Sequence, residues 1–152
     1  MSAVAGPGLR VVIDGGDRSA GNPAVILDRD VQVLVNGLWA AGSEAISVGG
    51  LRLRVTSAIR QAGGAILVDN KPTFWPITIE AIGDPNAMYL AFAETTGYGR
   101  FTAFADNYGI RFDVSAQQRL ALPGGAEPEL RYALPGTDRS TPGIAKPTGP
   151  TR

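Results

Sequence analysis

The residues able to do chemistry are few and far apart. Asp14 and Asp17 flank two glycines in DGGD, which places two carboxylates three residues apart in a polar stretch. Consecutive glycines expose backbone N–H groups, so such a loop could hold a cation or a phosphate. No lysine follows it and no second carboxylate cluster supports a metal, and residues 14–23 read as a wide turn. Glycosidases need their two acids at a fixed separation. A glycine loop fixes none, which makes a hydrolase built on Asp14 and Asp17 the weakest of three functional readings. Arg52, Arg54 and Arg60 bring positive charge close together in sequence. Gly97-Tyr98-Gly99 has part of a dinucleotide-loop pattern, but the third glycine and the preceding strand are missing. It reads as a helix break. The chain has neither cysteine nor histidine, which excludes thiolate chemistry and removes the usual general base and metal ligand. No catalytic residue, metal site or cofactor is expected.

Composition narrows the partners. The 152 residues give room for one domain around one core. A net charge of zero implies no nucleic-acid partner. No apolar run approaches the 18 or more residues of a membrane span, and the start MSAVAGPG lacks the pattern of a signal peptide.

The elements that would position any site are organised around residues 27–50. Asp28 is the expected N-cap of a helix. Val31, Leu34, Val35, Leu38 and Trp39 then recur at the spacing of a helix with one buried face. Gly42 ends that helix, and Ala45, Ile46 and Val48 carry a short buried strand. Ordering a lone helix costs more than its apolar stripe returns, so a sheet must lie beneath it. Residues 9–13, LRVVI, form the first strand. After the Gly49–Gly50 turn, residues 51–55 alternate Leu51, Leu53 and Val55 against Arg52 and Arg54. Residues 65–69 and 76–82 are expected to form a hairpin arm around NKPTFW, where Phe74 and Trp75 either fold back onto the sheet or present an apolar contact. Glu80 should face solvent or pair with an arginine. Asp84 and Pro85 open a second helix to about Glu94. Phe101, Phe104 and Tyr108 then mark a further helical stripe. Gly109 ends it, and residues 110–114 give the last strand.

The order strand, helix, strand, inserted arm, strand, helix, strand leaves βαββαβ once the arm is removed. That predicts an α+β fold, a ferredoxin-like split βαββαβ with helices on one face of an antiparallel sheet and an inserted β-hairpin arm. Residues 1–8 are expected as a leader, the end of a coiled-coil linker, and residues 9–118 as the domain. Six of the eleven prolines and five glycines fall in the last 30 residues, so residues 119–152 are expected as a flexible tail. Leu130 to Leu134 is the one part of it with enough apolar side chains to pack locally.

The stretches VNGLWAAGSEAISVGGLRL, TSAIRQAGGAILVDNKP, PITIEAIGDP and NYGIRF resemble the family catalogued as domain of unknown function 881, over roughly residues 6–114. The resemblance implies a bacterial envelope protein with a short cytoplasmic end, one membrane helix, a coiled coil and this domain outside the cell. Such proteins occur in Gram-positive bacteria, actinobacteria included, often near cell-division genes. No activity is assigned to the family, so no catalytic residue carries over. The implied location is the cell membrane, with this domain extracytoplasmic and the membrane touched only through an N-terminal anchor. The family pattern has glutamate where this chain has Gly37. With Val33 and Ala40, Gly37 would form a smooth outer strip on the first helix, suited to a partner or a second copy. The leading reading is a non-catalytic interaction or scaffold domain, with envelope or division proteins or itself as partner. The alternative is a module for small ligands or cell-wall fragments, using Arg52, Arg54 and Arg60 for charge and Trp75 for stacking on a sugar.

Overall fold

The computed structural model describes residues 2–15 and 26–125. In chain order its elements are β1 (Val4–Asp14), α1 (Asp28–Ala40), β2 (Ala45–Val48), β3 (Leu51–Arg52), β4 (Ile59–Ala62), β5 (Ala65–Val68), β6 (Lys71–Thr73), β7 (Ile77–Ile82), α2 (Pro85–Phe92), α3 (Thr96–Tyr108) and β8 (Arg111–Leu122). Five strands form the main sheet in the order β3-β2-β7-β1-β8, and every pairing in it is antiparallel. The fold is mixed α and β, as the sequence predicts.

Period-two alternation decides which face of this sheet is buried. Leu9, Val11 and Ile13 of β1 stand opposite Ala81, Ile79 and Ile77 of β7, and all six are buried. Ile46 and Val48 of β2 extend the same face. The helices cover it with Val31, Leu34, Val35 and Leu38 of α1, Met88 and Phe92 of α2, and Phe101 of α3. Trp39 is half-buried against this core. The other face carries Arg10 opposite Glu80 and Val12 opposite Thr78, with Ser47 opposite Glu80 on the β2 side.

Several boundaries differ from the sequence expectation. Leu27, not Asp28, caps α1; its N–H donates to the Asp30 carboxylate at 2.8 Å, while Asp28 accepts only from its neighbour Arg29 N. Asp30 is buried and also holds Arg100 at 2.8 Å, so it ties α1 to α3. Gly97-Tyr98-Gly99 is not a break but the first turn of α3, capped by the Thr95 hydroxyl. The break falls at residues 93–95. A Cβ on Gly97 would stand 2.7 Å from both Leu34 Cα and Val33 O, so glycine is what lets α3 lie against the α1 backbone. The expected hairpin of 65–69 with 76–82 does not form. Instead β5 pairs with β4 and β6 in a separate three-stranded sheet, and β7 joins the main one. Ile66 and Val68 sink into the main core, so the arm is packed rather than projecting. β3 stops at Arg52, which leaves Val55 exposed rather than on the same face as Leu53.

Both terminal strands outrun their expected limits. β1 begins at Val4, inside the expected leader, and β8 continues to Leu122, inside the expected tail. A register shift between Gly6 and Gly8 gives β8 one extra residue and bends the pair. Beyond the bend, Val4, Leu120 and Leu122 pack with Ile82 of β7 and Ala45 of β2. The ends of β1 and β8 therefore fold back across the polar face toward β2 and cover one end of it. The apolar side chains of that ribbon supply the reason: they have nowhere else to be buried. The rest of the tail, including Leu130 and Leu134, lies outside the described residues.

Candidate functional site

Between the ribbon and the arm, the other end of the polar face remains open as a groove of about 480 Å³. Its floor is Ser47, Thr78 and Glu80, and its walls are the Gly49–Gly50 turn, Pro72, Thr73, Phe74 and Pro76. The turn is the two-residue connection of the β2–β3 hairpin, with φ of 58° and 82° at its glycines. It presses on the arm so closely that a Cβ on Gly49 would stand 2.5 Å from Thr73 Cγ2. Thr73 is buried and donates from Oγ1 to Ile66 O at 2.8 Å, which fixes the start of the Phe74 wall. Glu80 accepts from Arg10 Nε at 2.8 Å, the arginine pairing expected of it.

The three arginines do not converge on this groove. Arg52 donates from Nη1 to Ser2 O and to Pro123 O, each at 2.8 Å, and so fastens both ends of the ribbon to β3. Its Nε is buried and has no hydrogen-bond partner among the described residues. Arg54 and Arg60 are exposed. Beside Arg54, burial raises the Asp69 carboxyl, but hydrogen bonds from Ala58 N and Ser57 Oγ and the charges of Arg54 and Lys71 outweigh it. The net effect holds Asp69 below its ordinary value of 3.8. Asp69 closes the β5–β6 turn with φ of 49°, next to Asn70 at 70°. Its role is structural: it ties that turn to the loop before β4.

Phe74 and Trp75 divide the two roles expected of them. Phe74 is 69% exposed, whereas Trp75 packs against the core and has no free face to offer a sugar. The outer strip of α1 does not exist as expected. Gly37 is buried, and a Cβ there would meet Thr95 Oγ1 at 2.7 Å, so the chain's own α3 cap covers it. Val33 is half-buried and Ala40 is exposed, with no continuous strip between them. Asp14 accepts from Gly15 N, while Asp17 lies outside the described residues. Among the described residues no group of three or more acidic side chains is placed to hold a metal, and no helix is long and apolar enough to cross a membrane.

A surface the sequence reading missed lies on α2. Met88 and Phe92 face the core, and Leu90 points away at 70% exposure with Tyr89 beside it at 40%. PNAMYLAF contains no charged residue. A solvated outer face normally carries charge, so an uncharged exposed helix was the available signal. Tyr89 reaches across the α2–α3 junction, its hydroxyl 3.3 Å from that of Tyr98, and a small hollow lies under it against Leu9, Val114 and Ala116.

The sequence and the fold can now be set beside known proteins. A family model described as "Bacterial protein of unknown function (DUF881)" matches residues 1–134. Among relatives, the UPF0749 proteins MT1871 and Rv1823 of two Mycobacterium tuberculosis strains are each 44% identical over 141 residues, 86% of this chain and 46% of theirs. The UPF0749 protein YlxW of Bacillus subtilis is 33% identical over 67 residues, 44% of this chain and 29% of its own. The chain thus spans under half the length of these relatives. A crystal structure of an uncharacterized conserved protein from Mycobacterium tuberculosis shares the fold with a TM-score of 0.68 and 27% identity, covering 88% of this chain and 91% of that one. With three quarters or more of its length matched in sequence and in structure, the chain belongs to the DUF881 family.

Proposed function

We propose that this chain is a non-catalytic interaction or scaffold domain, and that the outer face of α2 is its contact surface. One observation carries the reading: Leu90 is 70% exposed on a helix that its Met88 and Phe92 anchor rigidly in the core. Large apolar groups held outward on rigid elements are a feature of recognition surfaces. The finer fold assignment belongs to the same proposal. The order β2-β7-β1-β8, with β7 between the two strands that α1 connects, supports a ferredoxin-like split βαβ. The resemblance noted from the sequence supports an extracytoplasmic domain of a membrane-anchored envelope protein, with envelope or division proteins as partners. The relatives are more than twice as long as the matched segment, so anchor and location are properties proposed for the whole protein.

The ligand-binding alternative loses its main support. Arg52 is engaged with two backbone carbonyls, Arg54 and Arg60 stand apart from the groove, and Trp75 is packed. A photocrosslinking residue at position 90 of the full-length protein, irradiated in its native host, should give a discrete protein adduct. The same probe at exposed Asp106 of α3 should give none. Equal labelling from both positions, or none from position 90, would sink the proposal.

A further inference from the structure

We propose that residues 130–134 of this same chain, LRYAL, lie in the groove walled by Phe74. This goes beyond the contact surface on α2 and does not rest on it. The first argument is where the described chain ends. Pro123, Gly124 and Gly125 line a small hollow with Gly50, Arg52 and Lys71, and Gly50 also lines the groove. Arg52 holds Pro123 at that point, so the chain is delivered to the mouth of the groove. The five residues 126–130, extended, cover roughly 17 Å, enough to bring Leu130 past Gly50 and onto the floor.

The second argument is the extent of the family. Its model continues to residue 134, past the end of β8 at Leu122, and stops before the remaining proline- and glycine-rich residues. Sequence shared by the family therefore lies beyond the last strand. The third is pattern and chemistry. Leu130, Tyr132 and Leu134 alternate with Arg131 and Ala133, which gives an extended segment one apolar side. Pro72, Phe74 and Pro76 offer that side aliphatic and aromatic surface, and the Ser47 and Thr78 hydroxyls can bond an extended backbone. Glu80 has a second carboxylate oxygen beyond the one holding Arg10, within the same floor, for Arg131. Tethering by so short a connection gives the segment an effective concentration in the millimolar range, which a segment from another copy would have to exceed.

Amide hydrogen exchange on the full 152-residue chain tests this. The amides of residues 130–134 should exchange about tenfold or more slowly relative to those of residues 143–152. In a Leu130→Asp, Leu134→Asp double variant, that protection should vanish and residues 72–80 should exchange faster, with β1 and β7 unchanged. Fast exchange across 130–134 in the unmodified chain overturns the proposal, whatever the variant does. Protection that disappears on dilution assigns the segment to a second copy and overturns docking within one chain.

Discussion

Phe74 and Leu90 are almost equally exposed, at 69% and 70%, yet their surroundings differ in every respect that matters for binding. Leu90 stands on a convex, uncharged helix backed by the core. Phe74 stands at the wall of a concave groove with a polar floor, beside the point where the described chain ends. Exposure alone would rank them together. Shape, charge and chain path separate them: the helix suits a partner supplied from outside, and the groove suits an extended segment supplied by the chain itself. Both are single side chains on otherwise well-anchored elements. Neither should matter to folding.

That comparison fails if the exposed residues hold the fold together, so the largest predicted effect lies with their buried neighbours. Phe92→Ala, on the same helix as Leu90, should lower unfolding stability by about 3–5 kcal/mol in urea titrations. Leu90→Ser and Phe74→Ser should each stay within about 0.5 kcal/mol. Gly97→Ala should cost about 1–3 kcal/mol, because its Cβ would strike the α1 backbone, which cannot step aside as a side chain can. Gly99→Ala, two residues on and with open space around it, should instead stabilise by up to about 1 kcal/mol. The pair sharpens the claim that α3 is seated by close approach rather than by apolar stripe alone.

On the groove side, Arg52→Met should cost about 1–2 kcal/mol through loss of two charge-assisted hydrogen bonds. It should also speed amide exchange in residues 2–6 and 120–123 before any other part of the sheet. A smaller effect belongs to Asp69. Its carboxyl is held below 3.8 in the folded chain, so its stabilising contribution is present at neutral pH and fades as the pH falls from about that value downward. The stability gap between the unmodified chain and Asp69→Asn should therefore narrow in acid. A gap that widened on acidification would contradict the assigned hydrogen bonds.

Local pattern made most of the elements legible. The stripe of Val31, Leu34, Val35 and Leu38, the Asp84–Pro85 helix start, the Gly109 stop and the Arg10–Glu80 pairing all follow from spacing and residue type. What spacing could not convey was which distant segment covers which face. Gly37 looked free because the α3 cap that lands on it lies 58 residues away in sequence, at Thr95. Arg52 looked available for a ligand because its acceptors, Ser2 and Pro123, come from opposite ends of the chain. The arm was misjudged for a related reason: residues 59–62 alternate weakly, so β4 was overlooked and β5 was paired with the wrong strand. Of the candidate site, Phe74 was legible as an aromatic in a proline-bounded turn. The α2 face was legible too, in the absence of charge from PNAMYLAF, but attention went to the buried side of that helix.

The most direct measurement is the mass of the crosslinked assembly that the full-length protein forms in its native host, compared between Leu90→Ser and Phe74→Ser. Leu90→Ser should release the protein from its assembly at unchanged melting temperature, and Phe74→Ser should leave the assembly intact. An assembly that survives Leu90→Ser and dissolves with Phe74→Ser would reverse the roles assigned to the two surfaces.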